Sequence, residues 1–297
     1  MNWKSPLNIP PGKAGDFEVS ITEFPPMTTM DVINMRTAIL SGCEPEQVTF
    51  HDSTTFHYLK HNGSTLMSDV PQEQYDMAKM ALKCKGKVLV AGLGLGYIAT
   101  LLAKRKSVTE VVVVELEAEI IDLVAKHIAH PKIKVKHANI WHYLESSDAR
   151  FDYICLDTWS DTSEGEFYET VLPMRKKAYG LLNYPCRYPQ KRILAWKEEV
   201  MRGQVKTGLI TALQVPDLYN KLLDMPNAKF RKMCHDLRRY PIKPKFWGFL
   251  RAFKKISNAS NKQTVDWARE WVNDWVDRIV DIDDESLPGI MARYSLP

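Results

Sequence analysis

The stretch VLVAGLGLGYIATLL, residues 88–102, decides the fold. A short, solid apolar run ends in Gly92, Gly94 and Gly96, and a second apolar run begins at once. The first run has the length and β-branched content of a buried strand, and the second reads as a helix. A Gly-rich turn between them lets backbone N–H groups face a ligand at the carboxyl edge of a sheet, beside a helix N-terminus. In the dinucleotide fingerprint GxGxxG the third glycine would fall at Tyr97. The spacing here is GxGxG, which argues against NAD or FAD. It favours a nucleoside that lies across the turn without a pyrophosphate.

Outward from this turn the chain alternates. TEVVVVEL (109–116), KIKVKHA (132–138), FDYICLDTW (151–159) and GLLNYP (180–185) read as strands. EAEIIDLVAKHI, WHYLES and EFYETVLPMRKKA read as the helices between them. The strands are continuous apolar runs, the pattern of a parallel sheet covered on both faces. The fold class is therefore α/β, a doubly wound, mainly parallel, Rossmann-like sheet. Before it, TFHYLK and STLMS flank His61-Asn62-Gly63 and predict a β-hairpin. Asp69 reads as the N-cap of a helix over PQEQYDMAKMAL, 71–82, with Pro71 in its first turn. MDVINMRTAIL (30–40) fits either a β-leaning segment or a short helix. Residues 1–16, rich in Pro, Gly and Asn, read as a mobile arm. The expected organisation is an arm and hairpin region over 1–68, an α/β domain over 69–189 and a helical basic extension over 190–297.

The strand ends carry the chemistry. Glu115 closes the second strand, where a carboxylate accepts hydrogen bonds from both hydroxyls of a ribose, with Leu116 beside it. Glu117 and Glu119 suit the positive end of the following helix. Asn139 follows the third strand with an amide that can read an adenine edge or cap the next helix, and Ile140 can pack on the adenine face. Asp157 stands at the tip of the fourth strand, placed to orient a cationic ligand or take a proton from a nucleophile. Trp159 can wall the pocket or offer a π-face to a sulfonium.

This succession resembles the class I S-adenosylmethionine-dependent methyltransferase fold, and within it the spermidine synthase-like branch. It spans about residues 54–186 through the hairpin, VLVAGLGLG, VVVVELEAEII, ANIWHYL, FDYICLDTW and FYETVLPMRKKAYGLL. The resemblance implies S-adenosylmethionine as cofactor. It implies Gly92, Gly94 and Gly96 at the methionine end, Glu115 on the ribose, Asn139 at the adenine and Asp157 in the reaction cleft. Spermidine synthases typically carry GGGDG, and Leu95 stands where its Asp would be. Their Asp-Ser-Ser-Asp signature reads Asp157-Thr158-Trp159-Ser160, which loses the second acid unless Asp161 supplies it. Their DExxYxE pattern is reduced to DVPQEQYD. These departures favour methyl transfer from the intact cofactor to an unidentified acceptor over aminopropyl transfer from its decarboxylated form. The Asp/Asn-Pro-Pro-aromatic motif of nucleic acid base amino-methyltransferases is absent after the fourth strand. The third reading is a non-catalytic protein that binds the cofactor or nucleic acid.

Composition bounds the rest. With 45% hydrophobic and 26% charged residues, the chain is of soluble globular type. No apolar run reaches a membrane span and no apolar leader opens the sequence, so a cytoplasmic protein is expected. The five cysteines are scattered and read as reduced thiols, with no metal framework. His51, His57 and His61 lie close in sequence, but two of them fall in a strand-turn unit, and they are not read as a metal site. Residues 187–262 carry a net charge of +13, leaving −9 for the rest of a chain whose formal charge is +4. A basic block with interleaved aromatics can hold nucleic acid, or it can be a solvated or packed helical face. Trp267, Trp271 and Trp275 mark one face of a predicted helix in the same extension. A homodimer is expected from the resemblance.

Overall fold

The computed structural model describes residues 3–159, 162–183, 191–204 and 228. The chain divides into two compact units, Met1–Met201 and Arg202–Pro297. The first holds every element described here. The helix expected around Trp267, Trp271 and Trp275, together with Asp161 and most of the basic segment 187–262, lies outside the described residues.

In the N-terminal region the elements are β1 (Gly12–Ala14), β2 (Phe17–Phe24), β3 (Thr28–Ile33), α1 (Met35–Ser41), β4 (Glu46–Phe50), β5 (Thr54–His61) and β6 (Ser64–Ser68). β1, β2, β5 and β6 form a four-stranded antiparallel sheet in that order, and β3 and β4 form a separate pair. The predicted hairpin is β5–β6. Asn62 and Gly63 take φ of 49° and 79°, the left-handed pair that a two-residue turn between twisted strands requires. The segment over 30–40 splits between β3 and α1, which is capped by the Asn34 side chain accepting from Thr37 N–H.

Two expectations about this region are corrected. The arm is not free: Ile9 is buried, residues 12–14 pair with β2, and Ser5 donates to Asp69. Its apolar Leu7 and Ile9 join the main core, which outweighs the turn-forming composition around them. Asp69 is not the helix cap. Val70 takes that place, and the buried Asp69 carboxylate instead accepts the His57 backbone N–H at 2.6 Å and pairs with its Nδ1 at 3.1 Å.

The α/β domain follows with α2 (Pro71–Lys83), β7 (Gly86–Ala91), α3 (Tyr97–Lys104), β8 (Val108–Glu115), α4 (Ala118–Val124), β9 (Ile133–His137), α5 (Ile140–Ser146), β10 (Tyr153–Leu156), α6 (Glu164–Glu166), α7 (Leu172–Ala178) and β11 (Ile193–Ala195). A wide helical turn, Phe167–Val171, joins α6 to α7. All five strands of this sheet run parallel, in the order β11-β10-β7-β8-β9. This is the doubly wound arrangement, with its reversal of winding between β7 and β10. The fold class expected from the sequence is the one observed. The fifth strand is not. Residues 179–181 form a 3-10 turn, and among the described residues of that segment only Leu182 bridges to Phe151. The edge strand comes instead from Ile193–Ala195, in a segment that reads as helical. Buried Arg175 of α7 anchors it by donating to Ile193 O at 2.7 Å.

The core forms where α2 and α3 meet the sheet, around residues such as Met77, Val90, Leu102 and Val113. Leu102 is fully buried there. Leu102→Ala is expected to cost about 2–5 kcal/mol through lost burial and an unfilled cavity. Urea unfolding reads this as a lower midpoint at unchanged slope.

Candidate functional site

Strand register builds the site before any side chain is considered. Ala91 pairs with Leu156 of β10 and with Val114 of β8, and Glu115 pairs with His137 of β9. One residue further on, Asp157, Gly92, Glu115 and His137 therefore stand abreast at the carboxyl edge. The ladder continues into this row, because Gly92 N–H donates to Val114 O at 2.9 Å and Asp157 N–H to Ala91 O at 3.1 Å. The crevice outside such a row, at the point where winding reverses, is where doubly wound sheets take ligands.

A cleft of about 670 Å³ opens there. It is bounded by Met67 of the hairpin, Glu73 of α2, Gly92 and Gly94, Glu115 and Leu116, Asn139 and Ile140, and Asp157 and Trp159. The volume is within the range of small-molecule sites. Of the residues expected from the sequence, Gly92, Gly94, Glu115, Leu116, Asn139, Ile140 and Asp157 are all brought together on this cleft. Gly96 is not. It caps α3 at φ 69°, where a Cβ would lie 2.7 Å from the Ile128 side chain, so its place is in helix packing.

Gly92 and Gly94 are glycines for different reasons. At Gly92, φ is 91° and a Cβ would stand 2.3 Å from the Asp157 carbonyl oxygen. Backbone, not ligand, forbids a side chain. At Gly94, the Met67 thioether fills the position of a Cβ, and its sulfur accepts the Leu95 N–H at 3.3 Å. The backbone at Gly94 is thus covered by the hairpin.

Glu115 is nearly buried and tied down from two sides. Its carboxylate accepts the Leu93 N–H at 2.7 Å and the Glu117 N–H at 2.9 Å. A carboxylate has about four lone-pair sites, so two acceptor positions remain for a ligand. Leu116 next to it is 53% exposed, an apolar side chain left open on the cleft. Asn139 is the N-cap of α5. Its Oδ1 accepts from Trp141 N–H at 2.8 Å and His142 N–H at 3.4 Å, which leaves its amide NH₂ as the group able to meet a ligand.

The opposite chemistry gathers around Asp157. Burial pushes its carboxyl up to about 7, and the nearby Asp76 adds to the shift. Glu73 is pushed up to about 8, first by burial and then by the Asp157 and Asp76 charges, against the opposing pull of Lys197 and the Trp196 indole. Asp76 itself is raised by burial, with Lys197 holding it back. Glu73, Asp76, Trp196 and Lys197 were not singled out from the sequence. The available signal was the i, i+3 spacing of Glu73 and Asp76 on one face of α2. Nothing in the sequence brings Lys197, more than a hundred residues later, to that face.

No family model matches this chain, and no curated protein does. Among solved structures it is similar to spermidine synthase from Thermotoga maritima, with 18% identity over 59% of this chain and 52% of that one, TM-score 0.38. It is also similar to a spermidine synthase in complex with the transition state analogue AdoDATO, with 16% identity over 60% and 56% of the two chains, TM-score 0.39. A third is the O-methyltransferase TomG from Streptomyces achromogenes, in complex with SAM, with 17% identity over 40% and 53%, TM-score 0.30. The matched regions cover about half the length of these chains. The sheet order is that of a doubly wound, Rossmann-type fold. Among the described residues, no helix is long and apolar enough to cross a membrane.

The raised carboxyls set a pH dependence. A carboxyl whose folded pKa lies above its unfolded value binds its proton more tightly in the native state. Stability therefore falls as pH rises through the window between the two values, here from about 4 to about 8. Glu73→Gln and Asp157→Asn remove the ionisation. Each is expected to be more stable than the wild type at pH 9 by on the order of 1–3 kcal/mol, with the gap closing by pH 4. Denaturant melts at the two pH values check this. A gap that persists at pH 4 contradicts the assignment.

Proposed function

We propose that this chain is a transferase that uses S-adenosylmethionine and passes its methyl group to a nucleophile bound in the same cleft. The observation that carries the reading is the single row of Asp157, Gly92 and Glu115 across the reversal point of the sheet. It sets a ribose-type acceptor on one side of a glycine turn and an ionisable carboxyl on the other. The residues present fit the cofactor. Glu115 is fixed by two backbone N–H groups with acceptor capacity left for two hydroxyls. Leu116 and Ile140 offer apolar faces to a purine, and the Asn139 amide can donate to a ring nitrogen.

When bound, the cofactor supplies an electrophilic methyl group on a sulfonium. The chain's own part is alignment and proton handling. Glu115, Leu116 and Ile140 hold the nucleoside, so that the acceptor is confined near Asp157, and such confinement supplies most of the rate in transfers of this kind. Asp157, at about 7, is close to the ideal for a base at neutral pH, because it is ionised in part and still basic enough to take the acceptor's proton. Trp159, buried on the same cleft, walls it.

Aminopropyl transfer from the decarboxylated cofactor is the second reading. The gathering of Glu73, Asp76 and Asp157 favours it, since acids suit an amine acceptor. Leu95 counts against it. It is fully buried, in the place where the resemblance calls for an Asp. The basic segment 187–262 is proposed as a further contact for a macromolecular acceptor such as nucleic acid, supported by its charge alone.

Calorimetric titration with S-adenosylmethionine and with its decarboxylated form tests the reading. The intact cofactor is expected to bind, and Glu115→Ala to weaken it by about tenfold or more. Glu115→Gln, which keeps the size, serves where the alanine variant does not fold. Tighter binding of the decarboxylated form would transfer the case to aminopropyl chemistry. Binding of neither would overturn both.

A further inference from the structure

Lys197 belongs to two cavities at once. It lines the cleft of about 670 Å³ and also a second one of about 620 Å³, bounded by Tyr75, Asp76, Lys79 and Tyr153 among others. Its ammonium lies 2.9 Å from Asp76 Oδ2, and its side chain is only 9% exposed. The backbone places it at φ 52°, the left-handed region, which a residue with a side chain rarely adopts. Such a conformation persists only where the surroundings fix it. Here Trp196 N–H donates to Leu156 O at 2.9 Å on one side, and Val200 and Met201 N–H both donate to Lys197 O on the other. The strand end and the turn after it hold Lys197 against α2.

Three acids sit on the cleft or next to it, of which Glu73 and Asp76 feel the Lys197 charge. Glu73 lines the cleft, Asp76 lines the second cavity one helical turn on, and Asp157 closes β10. At neutral pH Glu73 is mostly protonated, Asp157 about half ionised, and Asp76 is paired with Lys197. Of these three acids, at most the Asp157 carboxylate is left to meet a cation. A ligand with two ammonium groups would find its second counter-ion already taken.

We propose that Lys197 is a specificity-determining residue for the acceptor: its ammonium occupies the cation position beside Asp76, so that the site excludes diamines and polyamines and takes an acceptor with no second positive charge. The proposal rests on the transferase reading, because it makes this cleft the acceptor site. Its physical content is an internal cation standing in for part of a substrate. The ion pair is shielded from water, so an incoming ammonium would have to displace a tethered one at high effective concentration.

The experiment is calorimetric titration of the full chain with 1,3-diaminopropane and with putrescine. The wild type and Lys197→Arg, which keeps the cation, are expected to show no binding in the millimolar range. Lys197→Met and Lys197→Gln leave Asp76 without its partner and are expected to bind diamine at least about tenfold more tightly than the wild type. The double variant Lys197→Met/Asp76→Asn is expected to lose that gain, which separates an exposed carboxylate from a merely loosened fold. Diamine binding by the wild type overturns the proposal. So does failure of both neutral variants to gain it, or its survival in the double variant. S-adenosylmethionine is titrated separately on each protein. Loss of that arm alone speaks against the cofactor reading and leaves the diamine result to decide the role of Lys197.

Discussion

The close approach of Gly92 to Asp157 is the constraint on which the site depends. A Cβ at residue 92 would stand 2.3 Å from the Asp157 carbonyl oxygen, so the tips of β7 and β10 touch through backbone alone. This contact lies at the reversal of winding, where neighbouring crossovers leave to opposite faces and a crevice opens. With Gly92 fixed, register puts Glu115 on one side and Asp157 on the other. Two carboxylates of different character then share one edge. Glu115 is held by two backbone N–H groups. Asp157, half-buried and close to Asp76, is pushed up to about 7 by desolvation and then by that neighbouring charge.

The N-terminal sheet is tied to this frame by a buried polar cluster. Asp69 accepts the His57 backbone N–H, pairs with its ring and receives the Ser5 hydroxyl, while Gln74 of α2 donates to Asp69 O at 2.7 Å. The cluster joins arm, hairpin and α2, and so places Met67 on the Gly94 backbone and Glu73 on the cleft. A structural knot some residues away from the chemistry thus decides what covers the glycine turn. The turn's glycines serve three ends: a backbone contact at Gly92, a thioether contact at Gly94 and helix packing at Gly96.

Much of this was legible in the sequence because β7, β8 and β10 are largely apolar runs and a polar residue stands at or just beyond the ends of β8, β9 and β10. Glu115, Asn139 and Asp157 follow directly from that pattern. What was not legible depended on tertiary pairing. The fifth strand, Ile193–Ala195, is three residues long in a basic stretch, and it exists because Arg175 and β10 hold it. Local pattern cannot see such a strand. Asp69 looked like a cap because it precedes Pro71, but His57 offers it a backbone N–H and a ring in a buried place, and that interaction wins. Lys197 was hidden for the same reason: its partner Asp76 lies on another element, and its left-handed backbone has no signature in a lysine.

The central claim is that Glu115 is the ribose acceptor of a nucleoside site built on Gly92. A crystal structure of the protein with S-adenosylhomocysteine tests it most directly. The account predicts the ribose hydroxyls on the Glu115 carboxylate, the purine between Leu116 and Ile140, and the sulfur on the Asp157 side of Gly92. A ligand seated elsewhere, or one that leaves Glu115 bound only to Leu93 and Glu117, would contradict it.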